Sequence, residues 1–195
     1  RGLKTKTYNL TAVVTVADDG GSTGRIRQDL DIIAPGDLRN CLVALADKEG
    51  LMEKLFAHRF GGSGNLTGHS FGNLFIAALI EVLGDVEEAM DATSKVLKVR
   101  GKVVPATAEK VSLNAELTDG RIVHGESQIP KAHGKIKRVF TTPEHPKAIQ
   151  SAVKAIEEAN TIVLGPGSLY TSIMPNLCVP EIIDAICRSK AKKIY

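Results

Sequence analysis

Apolar and polar positions along the chain follow two rhythms, and the changes between them mark out the elements. Val13, Val14, Thr15 and Val16 form a short β-branched run that predicts a fully buried strand. It breaks into Asp18-Asp19-Gly20-Gly21-Ser22-Thr23-Gly24, a glycine-rich polar loop, followed by Arg25 and Arg27. Leu38, Cys41, Leu42 and Leu45 then recur at helical spacing, with Asp37 as the expected N-cap. Leu51–Phe60 predicts a second short amphipathic helix, with Met52, Leu55, Phe56 and Phe60 on one side. Another glycine-rich stretch, Gly61–Asn73, runs into Phe71–Leu83. That segment is apolar nearly all round, which predicts a helix buried on most sides and stopped by Gly84. Asp85–Arg100 carries a clean stripe of Val86, Ala89, Met90, Thr93, Val96 and Leu97.

After Arg100 the period shortens. Val111–Leu117 and Arg121–Glu126 alternate apolar and polar on either side of the turn signal Thr118-Asp119-Gly120, and Ile136–Phe140 reads as a further strand. Residues 101–140 are therefore expected to be a β-rich hairpin insertion within a single domain spanning residues 1–195, too small to stand alone. Pro146 opens a predicted helix with Ala148, Ile149, Ala152, Val153, Ile156 and Ala159 on its apolar side. Thr161–Leu164 predicts a buried strand, Glu181 to about Ser189 a helix, and Lys193-Ile194-Tyr195 the beginning of a last strand. Helices alternating with buried strands predict an α/β fold, a parallel sheet with helices on both faces.

Composition narrows the class. The 195 residues are 43% hydrophobic and 24% charged, as in an ordinary globular protein. The net charge of +3 is scattered, and a 4% aromatic content without Trp is too low for a base-stacking platform, so no nucleic-acid partner is expected. No run approaches a membrane span and no signal peptide opens the chain. Cys41, Cys178 and Cys187 form no C-x-x-C pair and are expected to be buried reduced thiols, which fits a cytoplasmic protein. The abrupt ends, Arg1-Gly2-Leu3-Lys4 and Lys193-Ile194-Tyr195, suggest a longer protein truncated at both sides.

Candidate chemistry lies in four loops. In the first, Gly20, Gly21 and Gly24 let backbone N–H groups approach an anion, and Ser22 and Thr23 add hydroxyl donors. Asp18 and Asp19 suit a divalent metal, ligand hydroxyls or a base. In the second, Asp37, Arg39 and Asn40 sit at a helix start and face either a ligand or solvent. The third, Gly68-His69-Ser70-Phe71-Gly72, matches G-x-S-x-G, but no strand feeds it, which argues against a serine hydrolase. There Ser70 is expected to cap a buried helix whose N-terminus, with His69 and Asn73, faces a polar or anionic ligand. The fourth, Gly165-Pro166-Gly167-Ser168-Leu169-Tyr170-Thr171, offers Gly165, Gly167, Ser168 and Thr171 as donors. The basic run Lys131–Lys137 is either a solvated connection or a lid. None of the loops fits G-x-x-x-x-G-K-[ST] or a strand–helix G-x-G-x-x-G, so a phosphate-bearing small molecule is expected without either common nucleotide fingerprint.

Taken together, V-A-D-D-G-G-S-T-G-R-I-R, P-G-D-L-R-N, G-H-S-F-G-N and V-L-G-P-G-S-L-Y-T-S-I-M-P-N-L resemble the gluconeogenesis-factor (YvcK-like) branch of the CofD-like, 2-phospho-L-lactate transferase superfamily. The resemblance covers essentially the whole chain and implies a three-layer α/β/α, Rossmann-like fold. For the YvcK-like branch it implies a cytosolic regulatory factor that binds a nucleotide sugar of the UDP-N-acetylglucosamine type. Such a factor is linked to gluconeogenic carbon metabolism and cell-shape control, with no established reaction, and is expected to be a homo-oligomer. For the transferase branch it implies magnesium-dependent transfer of a phospholactyl group from a nucleotide diphosphate carrier to a deazaflavin-type acceptor, with Asp18 and Asp19 as catalytic and metal-binding residues. Arg39 stands where the transferase branch tends to be acidic, which favours the YvcK-like branch. A NAD-binding reading rests on fold analogy alone.

Overall fold

A computed structural model of the chain describes residues 2–47 and 50–195; Arg1, at which the chain opens, lies outside them. The chain divides into two compact units, Arg1–Val14 with Gly20–Val104, and Thr15–Asp19 with Pro105–Tyr195. The first glycine-rich motif thus straddles a boundary, with Asp18 and Asp19 in one unit and Gly20–Gly24 in the other.

In the first unit, strand β1 (Thr11–Val14) pairs with β2 (Lys102–Pro105), whose last residue belongs to the second unit. Helices α1 (Gly21–Leu30), α2 (Gly36–Leu45), α3 (Leu51–Ala57), α4 (Phe71–Leu83) and α5 (Val86–Leu97) lie between them in sequence. The strand is shorter than the β-branched run: it ends at Val14, and Thr15, Val16 and Ala17, which belong to the second unit, are buried outside any strand. The expected loop Gly20–Gly24 is also largely absent, because the helix begins at Gly21 and buries Ser22, Thr23 and Ile26. Helix α2 starts two residues early, with Pro35 rather than Asp37 at the N-cap. Its apolar stripe holds as expected, with Leu38, Leu42 and Leu45 buried. Helix α4 stops at Gly84, as predicted, but only one face is covered: Val82 is 78% exposed, and Ala78 and Glu81 are exposed with it. A predominantly apolar sequence overstated its burial. Phe56 is fully buried against Phe71 and Phe75, with ring centroids at 5.8 and 5.0 Å.

In the second unit, β3 (Ser112–Leu117) is the centre of an antiparallel sheet between β4 (Ile122–His124) and β5 (Ile136–Thr142). This is the hairpin that the Thr118-Asp119-Gly120 signal predicts. A 3-10 turn, Glu126–Lys131, connects β4 to the approach to β5. Helix α6 (Gln150–Glu157) starts four residues after Pro146, which is buried in the extended lead-in. Strand β6 (Thr161–Val163) then crosses over through a π-helical turn (Leu169–Ile173), α7 (Met174–Leu177) and α8 (Pro180–Arg188) to pair in parallel with β7 (Lys192–Ile194). A β–α–β crossover of this kind is the building unit of Rossmann-like folds, and the α/β class is as the alternation predicts. The strands fall into three hydrogen-bonded sets. Strand β6, expected to be buried, is mainly exposed, with Val163 at 45%, because a two-stranded pair covers little of its own surface. Cys187 is also exposed, contrary to the expected burial, whereas Cys41 and Cys178 are partly covered; all three are free thiols. Burial pushes the Cys41 thiol up to about 11, with Asp37 adding to the rise, and burial raises that of Cys178. No helix among the described residues is long and apolar enough to cross a membrane.

Candidate functional site

The first unit brings five of the expected residues into one buried polar cluster. Its geometry depends on where α3 stops. The segment after Ala57 leaves the helix and runs antiparallel to the chain before α4: Phe60 N–H donates to His69 O (2.9 Å), Gly68 N–H to Phe60 O (2.7 Å) and Phe71 N–H to His58 O (3.0 Å). Phe60 therefore does not extend α3 as the apolar stripe suggested. It fixes the turn that presents His69 and Ser70. Arg25, from α1, reaches the same turn and donates to Thr67 O at 2.6 Å.

Ser22 is the centre of this cluster. Its Oγ accepts from Ser70 N–H and from Asn73 Nδ2, both at 3.3 Å, and lies 3.2 Å from His69 Nδ1. A hydroxyl has two acceptor positions and one proton. With both acceptor positions filled, its proton goes to His69 Nδ1, which makes Nδ1 an acceptor and leaves the ring proton on Nε2. Burial holds the His69 pKa below its ordinary 6.5, and the charge of Arg25 lowers it further against a smaller opposing effect of Asp29. The imidazole is thus a neutral Nε2–H donor near pH 7. Asn73 also donates to Thr23 Oγ1 at 3.4 Å, while its own Oδ1 is buried with no hydrogen-bond partner among the described residues.

The N-termini of α1 and α4 are consequently tied together, since Ser22 and Thr23 lie on the first turn of one and Ser70 and Asn73 open the other. Ser70 occupies the N-cap as expected, but its hydroxyl does not cap; it donates to Phe56 O at 3.2 Å. Arg39 Nη1 donates to the same carbonyl at 3.2 Å, and its Nη2 donates to Asn40 Oδ1 at 2.6 Å. Arg39 is 8% exposed, so the solvated-arginine expectation is overturned: α2 packs its guanidinium inward against the end of α3. Gly72 allows this. A Cβ there would lie 2.8 Å from Arg39 Cδ, from Phe56 Cδ1 and from Phe56 O. The pattern that read Gly72 as part of a motif missed that it is a packing requirement, and missed Phe56 O as the shared acceptor.

In the second unit, Asp19 Oδ1 accepts from Ser127 N–H at 2.8 Å, a partner no motif indicated. Ser168 and Thr171 line a cleft of ≈ 290 Å³ together with Tyr170 and with Ile129, Pro130, His133, Gly134 and Ile136. The basic segment expected as a connection or lid thus contributes His133 and Gly134 to a cleft wall. Gly165 and Gly167 lie exposed on the turn after β6, with φ of 123° and 159°. Among the described residues no group of three or more His, Cys, Asp and Glu side chains is placed to hold a metal ion. A magnesium ion bound by one or two carboxylates, with phosphates and water completing its shell, needs no such group. Asp18 and Asp19 are carboxylates of that kind, and Asp19 turns both oxygens to the 125–127 backbone, Oδ1 accepting from Ser127 N–H and Oδ2 lying beside Gly125.

Comparison with known proteins adds a family to this geometry. Residues 1–195 match the family described as 2-phospho-L-lactate transferase CofD. A putative gluconeogenesis factor of Nostoc sp. is 58% identical over 195 residues, all of this chain and 43% of the relative. Gluconeogenesis factors of Halalkalibacterium halodurans and Bacillus subtilis are 55% and 54% identical, again over the full chain and over 61% and 62% of theirs. A crystal structure of a Bacillus halodurans protein superimposes with a TM-score of 0.96 at 55% identity, covering all of this chain and 62% of that one. The chain therefore spans less than two thirds of the length of these relatives.

Proposed function

This chain belongs to the CofD family, and on that premise we propose that it is the ligand-binding part of a regulatory factor of the gluconeogenesis-factor type, binding a nucleotide sugar of the UDP-N-acetylglucosamine type. The factor acts in the cytoplasm, in control of gluconeogenic carbon metabolism and cell shape. The observation that carries this reading is the junction of the α1 and α4 N-termini through Ser22, Ser70 and Asn73. Two helix N-termini side by side favour an anion such as a diphosphate, through the positive ends of both helices and their first-turn N–H groups. His69, held neutral with its proton on Nε2, suits a neutral hydroxyl or carbonyl acceptor better than it suits a proton-transfer role. Similarity to proteins named gluconeogenesis factors supports the regulatory part of the reading.

The test is calorimetric titration of the full-length protein with UDP-N-acetylglucosamine, GDP and NAD, each with and without magnesium. Magnesium-independent binding of the UDP-sugar alone is expected. Magnesium-dependent binding of GDP with no response to the UDP-sugar would overturn the reading. That result would favour the second one, a CofD-like transferase, which the adjacent carboxylates Asp18 and Asp19 support. In that case the two side chains would hold magnesium, which supplies positive charge to a bound diphosphate.

A further inference from the structure

We propose that Asp19 is a positioning residue: its carboxylate clasps the start of the 126–131 turn and so sets one wall of the cleft lined by Ser168, Tyr170 and Thr171. The inference rests on the reading of the fourth glycine-rich loop as part of the ligand-binding surface. It differs from the metal or acceptor role expected for this aspartate.

Three observations carry it. Asp19 and Ser127 are 108 positions apart in sequence, yet the carboxylate accepts the Ser127 N–H at 2.8 Å, at the second residue of the Glu126–Lys131 turn. Early N–H groups of a helical turn have no carbonyl one turn behind them, so a carboxylate there replaces the missing acceptor. Next, the backbone before the turn is shaped around the carboxylate. Gly125 has φ of 91°, and a Cβ on it would overlap Asp19 Oδ2, so no other residue fits that position without displacing the carboxylate.

Finally, the turn leads directly into the cleft. Ile129, 6% exposed, anchors the middle of the turn in the core. Pro130, His133, Gly134 and Ile136 follow as cleft lining. The far end is held separately by Arg121, which donates to His133 O at 3.1 Å and to Ala132 O at 3.4 Å while paired with Asp119. The wall is thus fastened at two ends, by Asp19 where it begins and by Arg121 where it lines the cleft. Releasing the first fastening loosens the segment between Gly125 and Ile129 and moves the wall that the Ser168–Thr171 turn faces.

The test compares Asp19→Ala with Asp19→Asn in the full-length protein. Asn keeps an acceptor oxygen for the Ser127 N–H and removes the negative charge, so a clasp survives it and a metal or base function does not. Hydrogen exchange is read first, without ligand, so that its result stands apart from the nucleotide-sugar reading. The amides of residues 126–129 and 131 are expected to exchange about tenfold faster or more in Asp19→Ala, and within about threefold of wild type in Asp19→Asn. Binding of UDP-N-acetylglucosamine is read second, with weakening of about tenfold expected for Asp19→Ala and near wild-type affinity for Asp19→Asn. Unchanged exchange in Asp19→Ala would overturn the proposal. So would an Asp19→Asn variant that loses binding while its exchange stays at the wild-type level, since Asp19 would then act on the ligand or its metal directly. If Asp19→Ala also loses protection throughout β3 and β5, it has unfolded. Ser127→Pro, which keeps the carboxylate and removes the N–H, then takes its place with the same expected exchange in the flanking amides.

Discussion

His69 shows how one buried contact converts a titratable side chain into a fixed donor. Ser22 occupies Nδ1 with its own proton, and burial with the Arg25 charge lowers the imidazole pKa from 6.5. The consequence for stability has a definite sign. In the unfolded chain the group takes up a proton near pH 6.5, while in the fold it resists until a lower pH. The unfolded state therefore binds more protons in the window between the two values, and stability falls as the pH drops through it. The contribution is fully present above the unfolded value. Urea denaturation across about pH 5 to 8 is expected to show this decline in the wild type, with a shallower slope in His69→Gln. Equal slopes would mean that the ring titrates as freely in the fold as outside it.

At the scale of elements, α4 depends on a residue with no side chain. Gly72 lets Phe56 and the Arg39 stem close over the first turn, with three atoms at 2.8 Å from where a Cβ would stand. One of the three is backbone, so the neighbours cannot all yield. Gly72→Ala is expected to destabilise by about 1–3 kcal/mol despite the better helix propensity of Ala, as overpacking does in closed cores. A lowered urea midpoint with an unchanged m-value would bear this out, and a raised midpoint would refute it. The same element shows what was legible in the sequence. Its length and its Gly84 stop follow from local chemistry, as do the α2 stripe, the hairpin at Thr118-Asp119-Gly120 and the α5 stripe except for Val96, which is 43% exposed. The inward turn of Arg39, the departure of Phe60 from α3 and the partner of Asp19 depend on contacts remote in sequence, with Ser127 lying 108 residues beyond Asp19. Gly21–Gly24 has the composition of a turn and yet winds into α1, where Ile26 and the hydroxyl-bearing Ser22 and Thr23 are buried.

At the scale of the molecule, the chain represents 43% to 62% of the lengths of the relatives it matches, so its function is tested on the full-length protein. The candidate chemistry is divided between units, hydroxyls and amides around Ser22 in one and the carboxylates Asp18 and Asp19 in the other. The two functional readings weight these halves differently. A regulatory binder draws its affinity from neutral donors and helix ends, which hold a diphosphate without a metal. A transferase needs the carboxylates ionised, because a divalent cation is held by their charge. The double variant Asp18→Asn with Asp19→Asn separates them by removing two charges with little change in volume, and Asn at position 19 retains the acceptor for Ser127. The binder reading expects UDP-N-acetylglucosamine affinity within about threefold of wild type, a change below ~0.7 kcal/mol, with no magnesium dependence in either protein. Loss of affinity together with loss of a wild-type magnesium dependence would assign the pair to metal binding and restore the transferase reading.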